Sequence, residues 1–474
     1  MLDSVPCAQA FASGPRAKHF MIQIDSKLTE TGLRKKVERL FSTSGQKIRS
    51  LDSNWDTAKG SPVFTVGGKY TSRGWTEWTQ GFQFGSAILQ YDATGDKAFL
   101  EIGRTRTLNV MAPHVTHVGV HDHGFNNVST YGNLLRLMNE GSIPDNEWER
   151  HFYELALKCS GAVQAARWTR IAEGGGFIYS FNGPHSLFVD TIRSLRALAV
   201  SHHLGHVLMG ENDRRISLLG RTMEHARATA RYSVFYGAGR DSYDVRGRTA
   251  HESIFNVNDG VFRCPNSQQG YSPFSTWTRG LAWAMLGFAE QLEFFGTLPE
   301  SEFTDLGGSS DIVLTMKAAA EATCDFYLEN TPTDGVAYWD TGAPGLAQLG
   351  DWASKPSDPY NDYEPVDSSA AVIAAQGLLR LGRYLGSERY RQAGLTIANT
   401  IFDEPYLSTD PSHEGLILHG VYHRPNNWDA IPSGRKVPVD ESCMWGDYHA
   451  MELGVYLLRT ADKKPYLTFW SDSK

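Results

Sequence analysis

The chain is 474 residues long, 41% hydrophobic and 21% charged, with 12 Trp and 20 Tyr, a composition ordinary for a globular enzyme and rich in the side chains that sugar clefts use. A formal net charge of -8, with no run of Lys and Arg, excludes a nucleic-acid partner, because phosphate binding needs a basic surface. The five cysteines, Cys7, Cys159, Cys264, Cys324 and Cys443, are scattered without a C-x-x-C pair, so neither a zinc centre nor a disulfide framework is expected.

Residues 1–26 have no basic start followed by an apolar run, and no apolar stretch approaches membrane-spanning length. An irregular leading segment is expected, with no membrane partner and a cytoplasmic location, or a periplasmic one if a signal peptide has been removed. From there helical periodicity dominates. Twelve helices are predicted, over 27–43, 78–93, 97–112, 124–138, 147–166, 186–204, 214–236, 275–294, 311–328, 368–384, 388–401 and 443–458.

The connectors alternate in kind. At 93–97, 209–213 and 385–389 a Gly closes one helix and Asp, Asn or Ser can cap the next, the mark of a short turn between antiparallel helices. The remaining connectors are long and rich in Gly, Pro and aromatics, and the β-prone pieces 63–66 and 416–423 belong to them. Six helical hairpins, with nothing resembling a linker between them, predict one domain over 1–474: a helical ring with one plain end and one end of elaborate loops.

Polar and aromatic clusters fall at the starts of the even-numbered helices. They occupy 75–81, 121–125, 188–190, 268–283, 364–369 and 442–448. If those helices form an inner ring with parallel senses, their amino ends converge on one mouth whose dipoles favour an anion. Arg279 and Trp283, one turn apart, suit a ligand with an acidic group and a sugar ring, since Arg forks onto carboxylate and Trp stacks on apolar ring faces. A structural Arg in a buried helix is the alternative.

Asp190, flanked by Phe188, Val189 and Ile192, is expected to be desolvated and to keep its proton, while Asp122 would be the permanent anion of a converging pair. A helix cap for Asp122 and a hydrogen-bonded structural acid for Asp190 remain open. His114, His117, His121 and His123 straddle a segment broken by Pro113, so they share no helix face and no metal site is expected. His202, His203 and His206 sit at a helix end, where dipole complementarity explains them. His251, in the loop before the eighth helix, is within reach of the mouth.

H-D-x-G-F at 121–125, Q-Q-G-Y through R-G-x-A-W at 268–283, D-S-S-A at 367–370 and W-G-D-Y at 445–448 resemble the unsaturated glucuronyl hydrolase family (glycoside hydrolase family 88). The likeness runs in order over nearly the whole chain, and the 268–283 block is its most specific part. It implies an all-α (α/α)6 barrel and a cofactor-free hydrolase. Such an enzyme removes 4,5-unsaturated uronic acid from the non-reducing end of lyase-generated oligosaccharides by hydrating the vinyl ether. By position the resemblance implies Asp190 as general acid and base and Asp122 as the partner that binds ring hydroxyls. His121, His251, Gln269, Arg279 and Trp283 match substrate contacts, and Trp78 matches an aromatic lining the site.

Two departures bear on specificity. Phe181 stands where relatives often carry Trp, and the stretch 424–436 is longer than expected. Arg435 and Lys436, with Arg424 and Trp428, either read a sulfated or acidic sugar beyond the scissile bond or form a solvated basic loop. A rhamnogalacturonyl-type hydrolase and a non-catalytic carbohydrate-binding barrel are the competing readings. An epimerase on the same barrel would be expected to use histidines as its acid and base. The expected partner is an unsaturated uronate oligosaccharide, and the assembly a monomer or homodimer.

Overall fold

Twelve α-helices, ten of them of 14 residues or more, carry the architecture of the computed structural model, which describes residues 21–74 and 78–470. In chain order they are α1 Glu30–Asn54, α2 Gln80–Thr94, α3 Lys97–Val110, α4 Asn133–Asn139, α5 Glu147–Ala166 and α6 Arg196–His203. The second half comprises α7 Leu218–Tyr232, α8 Thr278–Phe295, α9 Ser310–Glu329, α10 Ser368–Leu385, α11 Glu388–Ile401 and α12 Met444–Ala461. Side-chain caps set several starts: Thr29, Asp96, Asn146 and Ser217 each accept a backbone N–H from the first turn that follows. Gly95 and Gly386 end α2 and α10 in the left-handed conformation, which an L side chain resists.

The even-numbered helices close a ring. α12 packs on α2, α8 on α10 and α10 on α12. The gap from α2 to α8 is bridged by the turns that lead into α4 and α6, namely His123–Asn126, a π-helical turn Val128–Gly132, and Thr191–Ser194. Outside lie α1 against both α2 and α12, α3 against α2, α5 against α6, α7 against α6 and α9, α9 against α8, and α11 against α10. Every residue of α8 is buried, as a helix enclosed on all sides must be. This is the expected all-α (α/α)6 barrel.

Small residues let the inner elements meet. A Cβ on Gly81 would lie 2.2 Å from the Asn126 carbonyl oxygen, and one on Gly124 would lie 2.1 Å from that of Ser194. Further down the ring Arg193 bonds Glu290 at 2.5 Å and Glu452 at 2.9 Å, and Arg196 bonds Glu452 at 3.1 Å. Such a buried cluster is tolerable because each charge has a hydrogen-bonded partner.

Several predicted elements change. α1 runs on to Asn54, through a Ser- and Gly-containing stretch whose helicity is imposed by packing against α2 and α12. Ser186–Phe188 begins no helix; it is a strand, antiparallel to Glu252–Phe255, which pairs in turn with Phe262–Asn266. That partner lies some sixty residues downstream, beyond the reach of a local pattern. The stretch 416–423 makes isolated bridges only, whereas Phe64–Val66 is a strand as expected. Met21 and Ile22 lie against the Leu328 carbonyl at the end of α9; residues 1–20 and 75–77, with Cys7, lie outside the described residues. Among the described residues no helix is long and apolar enough to cross a membrane.

Candidate active site

A cavity of about 530 Å³ opens where the inner helices begin. Trp78 enters it just before α2, His121, Asp122 and Phe125 from the turn before α4, Asp190 from the turn before α6, and Arg279 and Trp283 from α8. α10 and α12 support it from behind: Asp367, the cap of α10, binds Arg279 at 2.8 Å, and the Trp445 ring lies 5.0 Å from that of Trp78. The convergence of amino ends read from the sequence is therefore present.

Local bonding pins the two aspartates. The His121 carbonyl accepts from Gln164 Nε2 at 2.6 Å and from Ser194 Oγ at 2.9 Å. His123 is tied to Ser160 and to the His117 carbonyl, so of the histidines 114, 117, 121 and 123 only His121 lines the cavity. Val189 N–H donates to the His251 carbonyl at 2.9 Å, which places Asp190 directly after the strand. Both aspartates precede short helices, yet neither makes a capping hydrogen bond. Their carboxylates are left to the cavity instead.

His121 Nε2 stands 3.6 Å from Asp122 Oδ1 and 3.7 Å from Asp190 Oδ1. Burial pushes the Asp122 carboxyl up to about 6, with His121 opposing and Asp190 adding to the rise. At Asp190 burial acts in the same sense, but the adjacent His121 ring outweighs it and leaves the carboxyl below the ordinary value. For His121 itself, burial is outweighed by the two carboxylates, and its pKa is raised. The pair is split as expected, in the reverse order: Asp122 is the readier holder of a proton and Asp190 the readier anion. Sequence proximity to Phe188 and Val189 signalled the desolvation of Asp190 but not the cation that overrides it.

Aromatic rings form the floor. Phe125 lies 4.8 Å from Trp283 and 6.1 Å from Trp78, and Phe181, 38% exposed, stacks on His121 at 5.9 Å. Arg279 departs from expectation. Its guanidinium donates to Asp367, the Val421 and Tyr422 carbonyls and Gln269 Oε1, at 2.6–2.9 Å, so it braces the wall more than it presents an open fork. By holding the Gln269 amide oxygen it leaves that amide's NH2 as the end with donors to offer.

His251 does not line the cavity. Its Nδ1 accepts the backbone N–H groups of Gln268 and Gln269 at 3.0 and 3.2 Å, and burial lowers its pKa to about 4, so it holds that loop as a neutral ring. Arg435 and Lys436 are also absent from the lining. A turn returning Arg435 N–H to the Pro432 carbonyl carries Arg435 outward, where it donates to the Tyr360 carbonyl at 3.0 Å. In their place the same loop contributes Asn426 and Trp428, joined by Tyr422, His423 and Arg73. Asp429 secures the loop by accepting the N–H groups of Tyr422 and His423. Of these residues only Trp428 carried a sequence signal; the others lie in connectors whose course depends on distant partners.

An (α/α)6 barrel with paired, non-capping aspartates at an aromatic-floored mouth places the protein among the helical-barrel glycoside hydrolases. No family model matches the chain, but curated relatives do. An unsaturated glucuronyl hydrolase of Bacillus sp. (strain GL1) is 27% identical over 399 residues, covering 81% of this chain and 87% of the relative. One from Formosa agariphila is 25% identical over 384 residues, covering 79% and 78%. An unsaturated chondroitin disaccharide hydrolase of Streptococcus agalactiae is 22% identical over 390 residues, covering 80% of each. Among solved structures, the Bacillus sp. GL1 enzyme superposes with a TM-score of 0.67 at 23% identity over 92% of this chain and 99% of its own. An unsaturated glucuronyl hydrolase specific for heparin gives 0.68 at 19% identity with the same coverage. Over about four fifths of its length the chain is similar to unsaturated glucuronyl hydrolases, and it shares their fold.

Proposed function

We propose that this protein removes a 4,5-unsaturated uronic acid from the non-reducing end of acidic oligosaccharides by hydrating its double bond. The observation that carries the reading is the meeting of Asp122, His121 and Asp190 in one cavity over an aromatic floor. Asp190 would deliver a proton to C4 of the vinyl ether, and positive charge would develop at C5 and the ring oxygen. Water, deprotonated by the resulting carboxylate, then adds at C5, and the hemiketal opens to release the remaining sugar. Asp122, protonated more readily, can donate to or accept from ring hydroxyls, while Trp78, Phe125 and Trp283 stack on the planar unsaturated ring. Gln269 and the inner-helix amino ends favour the uronate carboxylate.

Relatives named for glucuronyl and chondroitin disaccharide substrates support a substrate of this acidic class, as does the structure of a mutant Streptococcus agalactiae enzyme complexed with dGlcA-GalNAc6S.

The conjugated double bond absorbs in the ultraviolet and is lost on hydration. Lyase-generated disaccharides are expected to lose that absorbance with the wild-type protein, and Asp190→Asn to slow the loss by roughly 10²- to 10⁴-fold, the usual contribution of a positioned acid. An Asp190→Asn variant of undiminished rate would remove Asp190 from the mechanism, and a flat trace over the whole panel would remove the activity.

A further inference from the structure

Neither ring nitrogen of His121 has a hydrogen-bond partner among the described residues, and Asp190 Oδ1 has none either, although all three atoms are buried. Buried polar atoms are nearly always satisfied, so unpartnered atoms of opposite character facing each other across 3.7 Å mark a working arrangement. The ring is held for it: Phe181 stacks on one face, Phe188 meets it edge-on at 5.6 Å, and the His121 carbonyl is doubly bonded from below. The groups that act on its charge are Asp122 and Asp190, which favour the imidazolium, and Arg167, which opposes it. His225 and His251 also lie within electrostatic reach; burial lowers their pKa values to about 3 and about 4, so both are neutral.

Resting on the hydrolase reading above, we propose that His121 is a positioning residue that stores the catalytic proton and passes it to Asp190 once substrate has expelled water from the cavity. In the absence of substrate the charged pair is stabilised through Asp190, whose side chain is 11% exposed to the cavity while that of His121 is buried. A bound sugar ring covers that exposed edge, and a charge-separated pair in a dry site gives way to its neutral form. The Nε2–H bond breaks and an O–H bond forms at Asp190 Oδ1; the electron pair stays on Nε2, the ring becomes neutral imidazole, and no net charge enters or leaves the pair. Asp190 is then the acid that protonates C4. It regains a proton from the attacking water and can return it to His121.

The proton store can be read without turnover. In the substrate-free wild-type protein, NMR titration of the His121 imidazole is expected to give a midpoint above the ordinary 6.5, and Asp190→Asn, by removing the neighbouring charge, to lower it. A ring that is neutral throughout, or a midpoint that Asp190→Asn leaves in place, overturns the proposal even if the chain hydrolyses its substrate. In kinetics, His121→Asn and His121→Gln are expected to lower kcat by roughly 10²- to 10⁴-fold with KM nearly unchanged, and to delete the imidazole limb from the pH profile. Variants that keep the wild-type profile count against the proposal.

Discussion

Asp367 stands immediately before α10, and Asp122 and Asp190 before the short helical turns that lead into α4 and α6; their hydrogen bonds separate them. Asp367 accepts from Ser369 and Ala370 N–H and pairs with Arg279; Asp122 and Asp190 cap nothing. Asp367 is therefore a structural acid, and replacing it with Ala strands a buried guanidinium, which is expected to destabilise the fold by about 3–5 kcal/mol in chemical denaturation. Asp122 behaves oppositely. Its folded pKa of about 6 lies above the reference 3.8, so the folded state holds a proton that the unfolded chain has lost. The associated stability is present below pH 3.8 and is lost as pH rises through 6, an interval worth about 3 kcal/mol. Asp122→Asn should melt with wild type at pH 4 but above it at pH 7.5, while losing activity. A variant that melts below wild type at pH 7.5 contradicts the assignment.

At the scale of elements, the site depends on how closely the inner segments approach. Gly124 lies two residues after Asp122, and an added methyl would strike the backbone of Ser194, which cannot swing aside as a side chain tip can. Gly124→Ala is expected to cost more than the 1–3 kcal/mol typical of overpacking and to move Asp122 away from His121. The paired readout is a lowered melting temperature with a fall in kcat beyond what the folded fraction explains. The π-helical turn Val128–Gly132 and the strand Ser186–Phe188 serve the same end. Each stands where regular helix is predicted, and the strand ends two residues before Asp190.

Across the whole molecule, ring closure is the organising fact. The last helix, α12, packs on α1 and α2, so residues more than 350 positions apart complete one wall, and Glu452 of α12 neutralises Arg193 and Arg196 at the centre. Glu452→Gln leaves two buried cations sharing one remaining carboxylate, Glu290. A loss of about 3–5 kcal/mol is expected in equilibrium unfolding, with no direct contact to the cavity. If the variant unfolds like wild type, the cluster is not what holds the ring together.

Local pattern was enough for the outer helices apart from the end of α1, but not for α4 and α6. α5 begins and ends where periodicity and its Asn146 cap place it, and α11 where periodicity does, although Ser387 makes no capping hydrogen bond; the polar clusters at alternate helix starts mark the mouth, because helix periodicity is encoded within a few residues. The tertiary structure decided what those clusters do. Arg279 is committed to Asp367 and to two carbonyls from a loop about 140 residues later, Arg435 is turned away by its own loop, and the proton order of Asp122 and Asp190 is set by His121. Each of these depends on summed charge, solvent exclusion and hydrogen bonds between groups far apart in the chain, quantities that exist only once the barrel has closed.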